Sequence, residues 1–485
     1  MAGRPALKSP PAHIPSSTVA RFFKYHSLAD LAAENSRLGI DLRFQNDLSP
    51  LFRPVQVGHV CVGNSLCIQP MEGCDGTADG KPDDLTFRRY QRFGAGGAKL
   101  IWGEAAAVVP EGRATPRQLW VCEANTRDFA RIVTECRAAH RQSCGGDSDL
   151  LIGLQLTHSG RYSFPQPLIA CSDPLLDPRT TGARLLDDDY LDRLVNCYVA
   201  AAQIARRAGF DFVDVKQCHR YLLNEILSAK TRAGRFGGDL ANRTRLPRDI
   251  IRAIRAEIPD LMIAVRLNVF DGVPYRKGGN DIGEPCPCPL PARTAFGTDE
   301  AEPSRPDLSE PLAWIEEMQR LGIALLNVSM GNPYASPHII RPFESPPPDG
   351  YESPEHPLIG VDRHFRLTAD VQRRFPDLPV VGSGYSYLQE YLPEAGAANI
   401  RDGRVTFVGV GRGSLSQPDF ARQLADRGKL DRKRVCRTFS FCTALMRSKH
   451  NGLGQFATGC PPFDKEVYGA IWQEALRTKG ETNAN

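Results

Sequence analysis

Eight short apolar runs alternate with helical segments along this chain, and the alternation restricts the fold more than any other feature of the sequence. The runs lie at residues 65–69, 99–102, 151–156, 212–216, 262–267, 324–329, 380–382 and 406–409. A helical segment follows each run, at residues 85–93, 126–139, 187–208, 246–256, 311–321, 363–374, 387–395 and 418–427. Wholly apolar strands are typical of a parallel sheet covered by helices, and eight strand–helix units make a TIM barrel. The sequence therefore predicts an α/β chain folded as a (β/α)8 barrel.

The alternation leaves a doubly wound open sheet as the alternative fold. Such a sheet usually carries a Gly-x-Gly-x-x-Gly turn after its first strand, and none follows residues 65–69. A length of 485 residues with 41% hydrophobic content suits one barrel with insertions. We expect three parts: an N-terminal extension at 1–50, disordered over 1–17 and helical over 27–38; the barrel at 51–430; and a cysteine-containing C-terminal segment at 431–485.

The composition excludes several classes of partner. The chain has 60 Lys and Arg against 56 Asp and Glu, so the net charge of +4 predicts no nucleic acid partner. No apolar run approaches the roughly 18 residues that cross a bilayer, and prolines interrupt the N-terminus where a signal peptide would be apolar. The fourteen cysteines are scattered, as expected for reduced thiols. We therefore expect a cytoplasmic protein with small-molecule substrates.

Three proton-handling side chains, Lys216, His219 and Tyr221, stand where the fourth run ends. In a TIM barrel the active site lies at the carboxyl ends of the strands, so these side chains are catalytic candidates. Gln155 lies near the end of the third run, and the fifth carries Arg266, which is costly to bury without an anionic or carbonyl partner. An internal salt bridge is the alternative interpretation of Arg266.

Glycine turns follow the last two runs and predict an anion site. Ser383 and Gly384 follow the seventh run, and Gly411 and Arg412 follow the eighth. These two loops are the usual phosphate site of a TIM barrel, and an arginine there can bind phosphate through two hydrogen bonds. Two further stretches, 277–311 and 332–357, follow the fifth and sixth runs and are either substrate-covering loops or plain surface insertions.

The chain resembles the old yellow enzyme family of FMN-dependent oxidoreductases from about residue 51 to its end. The motifs that carry the resemblance are Leu51-Phe-Arg-Pro with Val57-Gly58, Pro70-Met71, Trp102-Gly-Glu-Ala105 with Pro110-Glu-Gly-Arg113, Gln155-Leu-Thr-His-Ser-Gly-Arg161, residues 209–228, Gly237-Gly238 with Asn242-Arg243, and Gly411-Arg412 with Pro418-Asp419. The resemblance implies FMN as cofactor, NAD(P)H as electron donor, and self-association, which is common in the family.

The resemblance also implies roles for single residues. Gln155 would hydrogen-bond the pyrimidine edge of the flavin, and Arg266 would place positive charge beside its reduced form. Tyr221 would be the proton donor. The other residues expected at the cofactor are Pro70, Met71 and Ala105 along the ring, and Ser383, Gly384, Gly411 and Arg412 at the phosphate.

Two residues depart from the family pattern. Lys216 stands where the family usually has the first of two residues that hold the substrate carbonyl, with His219 as the second. Glu72 stands where relatives place Cys or Thr next to the flavin, and a carboxylate there lowers the reduction potential unless a cation neutralises it. We expect Lys216 and Glu72 to form a matched pair, although a structural ion pair of Lys216 with Glu72 or Glu104 is the alternative.

The C-terminal segment carries Cys436, Cys442 and Cys460, whereas relatives with an iron–sulfur cluster carry four ligand cysteines in a similar arrangement. Phe439 stands where another ligand would be, so no cluster is expected. Only 25 residues follow Cys460, so a second nucleotide-binding domain is not expected either.

The leading functional prediction is hydride transfer from NAD(P)H through FMN to a small acceptor, such as an activated alkene. The alternatives are an FMN-dependent amine or alcohol dehydrogenase and a flavin-binding barrel without catalysis.

Overall fold

A computed structural model describes residues 22–164, 166–179, 181–449 and 451–483 of the chain. The expected disorder of residues 1–17 lies outside the described residues. Across the described ranges, no helix combines the length and the apolar character that a membrane span requires. All fourteen cysteines are free thiols, and five of them are buried: Cys67, Cys74, Cys136, Cys171 and Cys218.

Eight parallel strands close into one barrel in chain order. The barrel strands, β1 to β8, are Leu66–Ile68, Leu100–Ala107, Leu151–Thr157, Phe212–Val215, Met262–Asn268, Leu325–Ser329, Val380–Gly382 and Phe407–Val410. The barrel closes where β8 pairs with β1, with Gly409 opposite Cys67. Each strand lies at one of the eight predicted runs, so the predicted barrel is confirmed and the open sheet is wrong.

One helix follows each barrel strand on the outside. These helices, α1 to α8, are Asp84–Ala95, Thr126–Cys144, Asp188–Ala208, Arg245–Glu257, Ser309–Arg320, Pro357–Arg374, Leu392–Arg401 and Phe420–Arg427. Additional α-helices are Leu28–Leu38, Leu222–Leu227, Leu240–Arg243, Pro337–Ile340, Arg412–Ser416, Phe441–Arg447 and Ala470–Asn483.

Shorter elements decorate the barrel. Two-stranded pairings join Val55–Val57 to Val60–Val62, Leu168–Ile169 to Arg184–Leu185, and Tyr275–Lys277 to Gly283–Pro285. Short 3-10 helices are Ser49–Phe52, Pro110–Gly112, Glu123–Asn125, Gly160–Tyr162, Asp177–Arg179, Gly279–Asp281 and Tyr385–Tyr391, and Lys465–Gly469 is a π-helical turn.

Local sequence sets the ends of α3, the helix that leads into β4. Asp187 caps its first turn by accepting a hydrogen bond from the backbone nitrogen of Tyr190 at 2.7 Å. Gly209 ends the helix in the left-handed conformation, with φ of +92°. The chain then enters β4 and reaches the carboxyl end of the barrel.

The seventh helix was predicted at 387–395, and that position is wrong. A 3-10 stretch, Tyr385–Tyr391, comes first and α7 begins only at Leu392. Gln389 has a φ of +53°, which breaks the helical path, and Pro393 occupies the first turn, where its missing N–H costs nothing.

An apolar cluster fills the end of the barrel where the strands begin. It includes Trp102 and Phe212, whose ring centroids lie 5.1 Å apart, and the hairpin residues Val57 and Val62 cover it. Since this end is packed with apolar side chains, the polar residues of the strands concentrate at the opposite, carboxyl end.

Candidate active site

A cavity of about 210 Å³ opens at the carboxyl ends of the barrel strands. Nine residues of the predicted cofactor site line it, namely Pro70, Met71, Glu72, Gln155, Arg266, Ser383, Gly384, Gly411 and Arg412. Lys216, His219 and Tyr221 also line it, so the three catalytic candidates and nearly all of the cofactor candidates meet in one place.

Ala105 is the predicted cofactor residue that is not among the lining residues. It lies on β2 opposite Gln155, with 2% of its surface exposed. Its neighbour Glu104 makes an ion pair with Arg89 and accepts a hydrogen bond from the backbone of Gly73 at 2.8 Å. The alternative prediction that Glu104 pairs with Lys216 is therefore wrong.

Lys216 pairs instead with Glu72. The Lys216 Nζ lies 3.6 Å from the Glu72 Oε1, and the same carboxylate oxygen lies 3.4 Å from the Tyr221 hydroxyl, which donates to it. The Lys216 Nζ also lies 3.7 Å from the centroid of the Tyr221 ring, a cation–π contact. Lys216 and Glu72 are therefore in contact, as both the matched pair and a structural ion pair with Glu72 require, and Tyr221 contacts both residues.

Burial moves the two pKa values of the pair toward each other. It raises the pKa of Glu72, which the charge of Lys216 only partly offsets. It lowers the pKa of Lys216, against the opposing effect of Glu72. A proton can therefore move within this pair at a lower free-energy cost than between the same groups in water.

His219 is held as a neutral imidazole. Its Nε2 lies 3.2 Å from the hydroxyl of Ser329 at the end of β6. Burial, followed by the positive charges of Arg266 and Lys216, lowers the pKa of His219 well below its ordinary value. A neutral ring can offer one directional N–H to a ligand without adding a second cation beside Lys216.

The turn that carries His219 and Tyr221 is strained and firmly anchored. His219 and Arg220 both have positive φ, at +68° and +61°. The buried Arg220 guanidinium donates to Asp173 at 2.8 Å and to Asp271 at 3.0 Å. This ion-pair network offsets the backbone strain and fixes the position of the side chains on either side of it.

Tyr221 remains protonated in this setting. Burial raises its pKa well above the ordinary value, and the charge of Glu72 adds to the effect. The Tyr334 hydroxyl lies 3.3 Å from the Tyr221 hydroxyl. Tyr221 is therefore a phenol that can donate a proton within the cavity.

A buried aspartate organises the floor of the cavity. Asp214 on β4 accepts hydrogen bonds from the Gln155 Nε2 at 2.5 Å, the Trp102 Nε1 at 2.8 Å and the backbone nitrogen of Arg266 at 2.7 Å. Burial raises the pKa of Asp214 to about 6. Because Gln155 uses its amide nitrogen here, its carboxamide oxygen is the atom that can accept from a ligand.

The predicted anion site has the shape and the donors that an anion requires. Gly384 has a φ of +96°, and a Cβ there would come within 3.0 Å of His364, so the turn suits glycine. The Arg412 Nη2 donates to the Pro342 carbonyl at 2.6 Å, while its Nη1 is buried without a partner among the described residues. The Nε of Arg266 is also buried and makes no hydrogen bond with any described residue.

One wall of the cavity is built from residues that no sequence motif indicated. The stretch after β6 contributes Pro333, Tyr334, Ile340 and Arg341, and the C-terminal segment contributes Cys442, Thr443, Met446 and Thr458. The proline-rich composition of 332–357 marked an insertion, but nothing in it indicated which side chains reach the cavity. The other insertion, 277–311, supplies none of the residues lining this cavity.

Of the three cysteines considered as metal ligands, Cys442 lines the cavity. Cys436 accepts a hydrogen bond from the backbone of Thr438. Within the described ranges, no group of three or more His, Cys, Asp or Glu side chains is arranged to hold a metal ion.

The chain is similar in sequence to known flavin oxidoreductases. Residues 50–285 match the model of the NADH:flavin oxidoreductase / NADH oxidase family. The chain is 31% identical over 248 residues to the NADPH dehydrogenase of Geobacillus sp. (strain WCH70), which covers 48% of this chain and 70% of that protein.

Two solved structures share the fold. A 2-naphthoyl-CoA reductase in complex with 2-naphthoyl-CoA matches 88% of this chain and 58% of its own length, with a TM-score of 0.65 and 16% identity. The old yellow enzyme homologue from Zymomonas mobilis matches 79% of this chain and 94% of its own, with a TM-score of 0.55 and 21% identity. At these identities the two structures establish a common barrel architecture.

Proposed function

This chain belongs to the NADH:flavin oxidoreductase / NADH oxidase family, whose cofactor is FMN, and on that premise we propose that it passes hydride from NAD(P)H to an α,β-unsaturated carbonyl compound. The observation that carries the proposal is the convergence of Tyr221, His219 and Lys216 on one cavity with the predicted cofactor residues. We further propose a cytoplasmic location, because fourteen free thiols suit a reducing compartment.

The residues of the cavity suit FMN. The unpartnered N–H groups of Arg412 and Arg266 lie in the same cavity as the glycine turns, so a phosphate and a polar ring edge would both find donors. When bound, FMN accepts and releases a hydride. Gln155 would offer its carboxamide oxygen to the ring, and Arg266 would favour the reduced cofactor with its fixed positive charge.

His219 and Lys216 would bind the substrate carbonyl oxygen. The neutral imidazole of His219 supplies a directional N–H. Lys216 supplies a positive charge, and its attraction for the carbonyl oxygen strengthens as that oxygen becomes negative. Polarising the carbonyl in this way makes the distal alkene carbon a better hydride acceptor.

Tyr221 would protonate the other alkene carbon. Its phenol is held by Glu72 at 3.4 Å, and its raised pKa keeps the proton in place until a carbanion-like carbon forms beside it. The Glu72 and Lys216 pair, which lies in direct contact with Tyr221, can then pass a proton to the resulting phenolate, and the pair regains this proton from solvent before the next turnover.

The Lys216 contact also argues for a neutral acceptor over a cationic amine. A free Glu72 carboxylate would attract a cation, but Lys216 at 3.6 Å already compensates its charge. The alternative of amine oxidation therefore lacks the unpaired carboxylate that would have supported it.

An anaerobic titration tests the proposal. The purified, FMN-loaded protein is titrated with NADPH, NADH and a simple amine in separate cuvettes, and flavin absorbance is followed. We expect bleaching by a nicotinamide nucleotide and recolouring on addition of a cyclic enone. Bleaching by the amine alone, or reduced protein that the enone does not reoxidise, would contradict the proposal.

A further inference from the structure

Arg341 is a cavity residue to which the motifs of the sequence give no role. It directly follows the short helix Pro337–Ile340 in the insertion after β6, and it lines the cavity together with Arg412. Its Nη1 donates to the Thr443 Oγ1 at 2.8 Å. Its Nε and Nη2 are buried and make no hydrogen bond with any residue that the structure describes.

Unpartnered guanidinium groups are costly in a protein interior. Leaving a buried donor unsatisfied destabilises the protein, and more so when the group is charged. Arg341 carries two such N–H positions and Arg412 carries one, at Nη1. An anion that accepts from both side chains would remove this cost.

The two guanidinium groups also repel each other. Burial, followed by the charges of Arg447 and Arg412, lowers the pKa of Arg341 to about 9. Arg447 is compensated by an ion pair with Asp349. In the described part of the chain, neither Arg341 nor Arg412 makes an ion pair with a carboxylate, so each contributes an uncompensated positive charge.

A charge count for the cavity identifies the anion that fits. The cationic side chains among its lining residues are Lys216, Arg266, Arg341 and Arg412. Glu72 offsets Lys216, and the buried Asp214 lies close enough to Arg266 for their charges to interact. Two positive charges remain, on Arg341 and Arg412, and a phosphate monoester carries close to two negative charges at neutral pH.

We propose that Arg341 is a second phosphate-binding residue for FMN, acting with Arg412, and that the C-terminal helix Phe441–Arg447 positions it through Thr443. The inference rests on the proposed function, since it takes FMN as the ligand of the cavity. It also gives the cysteine-containing C-terminal segment a role that requires no metal: the segment supplies the hydrogen-bond acceptor that aims the guanidinium.

The phosphate could come from another source, the pyridine nucleotide. The test therefore compares flavins with and without a phosphate. Apoprotein is titrated with FMN and with riboflavin, which lacks the phosphate, and binding is followed by quenching of flavin fluorescence. The variants are Arg341→Met, Arg341→Lys, Arg412→Met, Thr443→Val and, as a matched control, Arg374→Met, whose side chain is 57% exposed.

We expect Arg341→Met to weaken FMN binding by about 30-fold or more, because the variant loses charge-assisted hydrogen bonds to the phosphate. Riboflavin binding should change by less than about twofold, because riboflavin has no phosphate. Arg341→Lys should fall in between, because it keeps the charge and loses the paired donors. Thr443→Val should give a smaller loss that is again specific to FMN, and Arg374→Met should give none.

Four results would decide against the proposal. Equal losses for FMN and riboflavin in Arg341→Met and Arg341→Lys would mean that Arg341 only supports the cavity wall. Unchanged FMN binding with weaker NADPH binding to the loaded enzyme would assign Arg341 to the nucleotide. Wild-type protein that binds neither flavin would contradict the proposed function itself. A loss of FMN binding in Arg412→Met but not in Arg341→Met would contradict only the role of Arg341.

Discussion

The end of β4 and the insertion after β6 meet at the cavity, yet they build it in different ways. The β4 side presents Lys216, His219 and Tyr221 from a short turn that the Arg220 network anchors. The β6 side presents Tyr334 and Arg341 from a longer segment. The first wall is anchored by Arg220 to Asp173 and Asp271, which lie 47 and 51 positions away along the chain. The second depends on the C-terminal segment, where Thr443 lies 102 positions from Arg341.

The C-terminal segment provides that support for the insertion. Thr443 accepts from Arg341, the Ser440 hydroxyl donates to the Ser345 carbonyl at 2.7 Å, and the backbone nitrogen of Glu344 donates to the Thr438 hydroxyl at 3.0 Å. A wall of this kind can change with little cost to the barrel, which suits a role in recognition. The β4 wall, which the ion pairs of Arg220 anchor, suits catalysis, because reacting groups must keep fixed positions.

The largest expected effect tests the chemical role of the β4 wall. Tyr221→Phe should lower kcat for enone reduction by about 100-fold or more, because it removes the proton donor, while bleaching by NADPH stays unchanged. Stopped-flow measurement of the two half-reactions separates these steps. Equal slowing of both half-reactions would contradict the assignment.

The matched pair is tested by reduction potentials. Glu72→Gln should raise the flavin potential by about 30–60 mV, because a buried negative charge is removed, and Lys216→Met should lower it. The double variant should return close to the wild-type value, since the two charges compensate each other. An unchanged potential in both single variants would remove the pair from the redox chemistry.

Acid should lower the free energy of unfolding through His338, which lies in the β6 wall. Burial lowers the pKa of His338 to about 4, and its Nδ1 lies 2.8 Å from the Tyr351 hydroxyl. The unfolded chain takes up this proton below about pH 6.5, whereas the folded chain does so only near pH 4, so stability falls as pH drops between these values, by at most about 1.4 kcal/mol per pH unit.

His338→Gln should remove this contribution from the pH dependence of the free energy of unfolding, measured by urea denaturation between pH 7 and pH 5. The exposed His59, changed to Gln, is the matched control. Identical slopes for wild type and His338→Gln would show that His338 does not carry the effect.

The smallest expected effect is that of Tyr334→Phe, which tests whether the β6 wall takes part in proton transfer. Tyr334→Phe removes the hydroxyl that lies 3.3 Å from the Tyr221 hydroxyl but keeps the ring that packs on Tyr162, at 4.2 Å between centroids. We expect kcat for enone reduction to change by about threefold or less. A loss as large as that of Tyr221→Phe would make the two walls equal partners in the chemistry.

Sequence reasoning was most successful for features that are local. The eight strands could be predicted because each lies in a short, mostly apolar run, and the polar residues at their ends follow from where a parallel barrel opens. Helix boundaries were less accurate: α7 begins later than expected because Gln389 adopts a positive φ that no periodic pattern shows.

The two insertions illustrate what could not be predicted. Residues 277–311 and 332–357 are both rich in proline and both follow a strand at the open end of the barrel. Only the second contributes to the cavity lining. Composition predicts that a segment is irregular, but it does not predict which surface the segment packs against.

By itself the sequence determined the barrel and the end of the barrel at which the cavity opens, and it predicted most of the strand-end residues that line this cavity. The tertiary structure decided that Lys216 pairs with Glu72, that Tyr334 lies beside Tyr221, and that Arg341 donates a hydrogen bond to Thr443. The reason is separation along the chain. Tyr221 and Tyr334 are 113 positions apart, and Arg341 and Thr443 are 102 apart. Contacts over such distances depend on how the loops pack over the barrel, and no periodic pattern in the sequence records them.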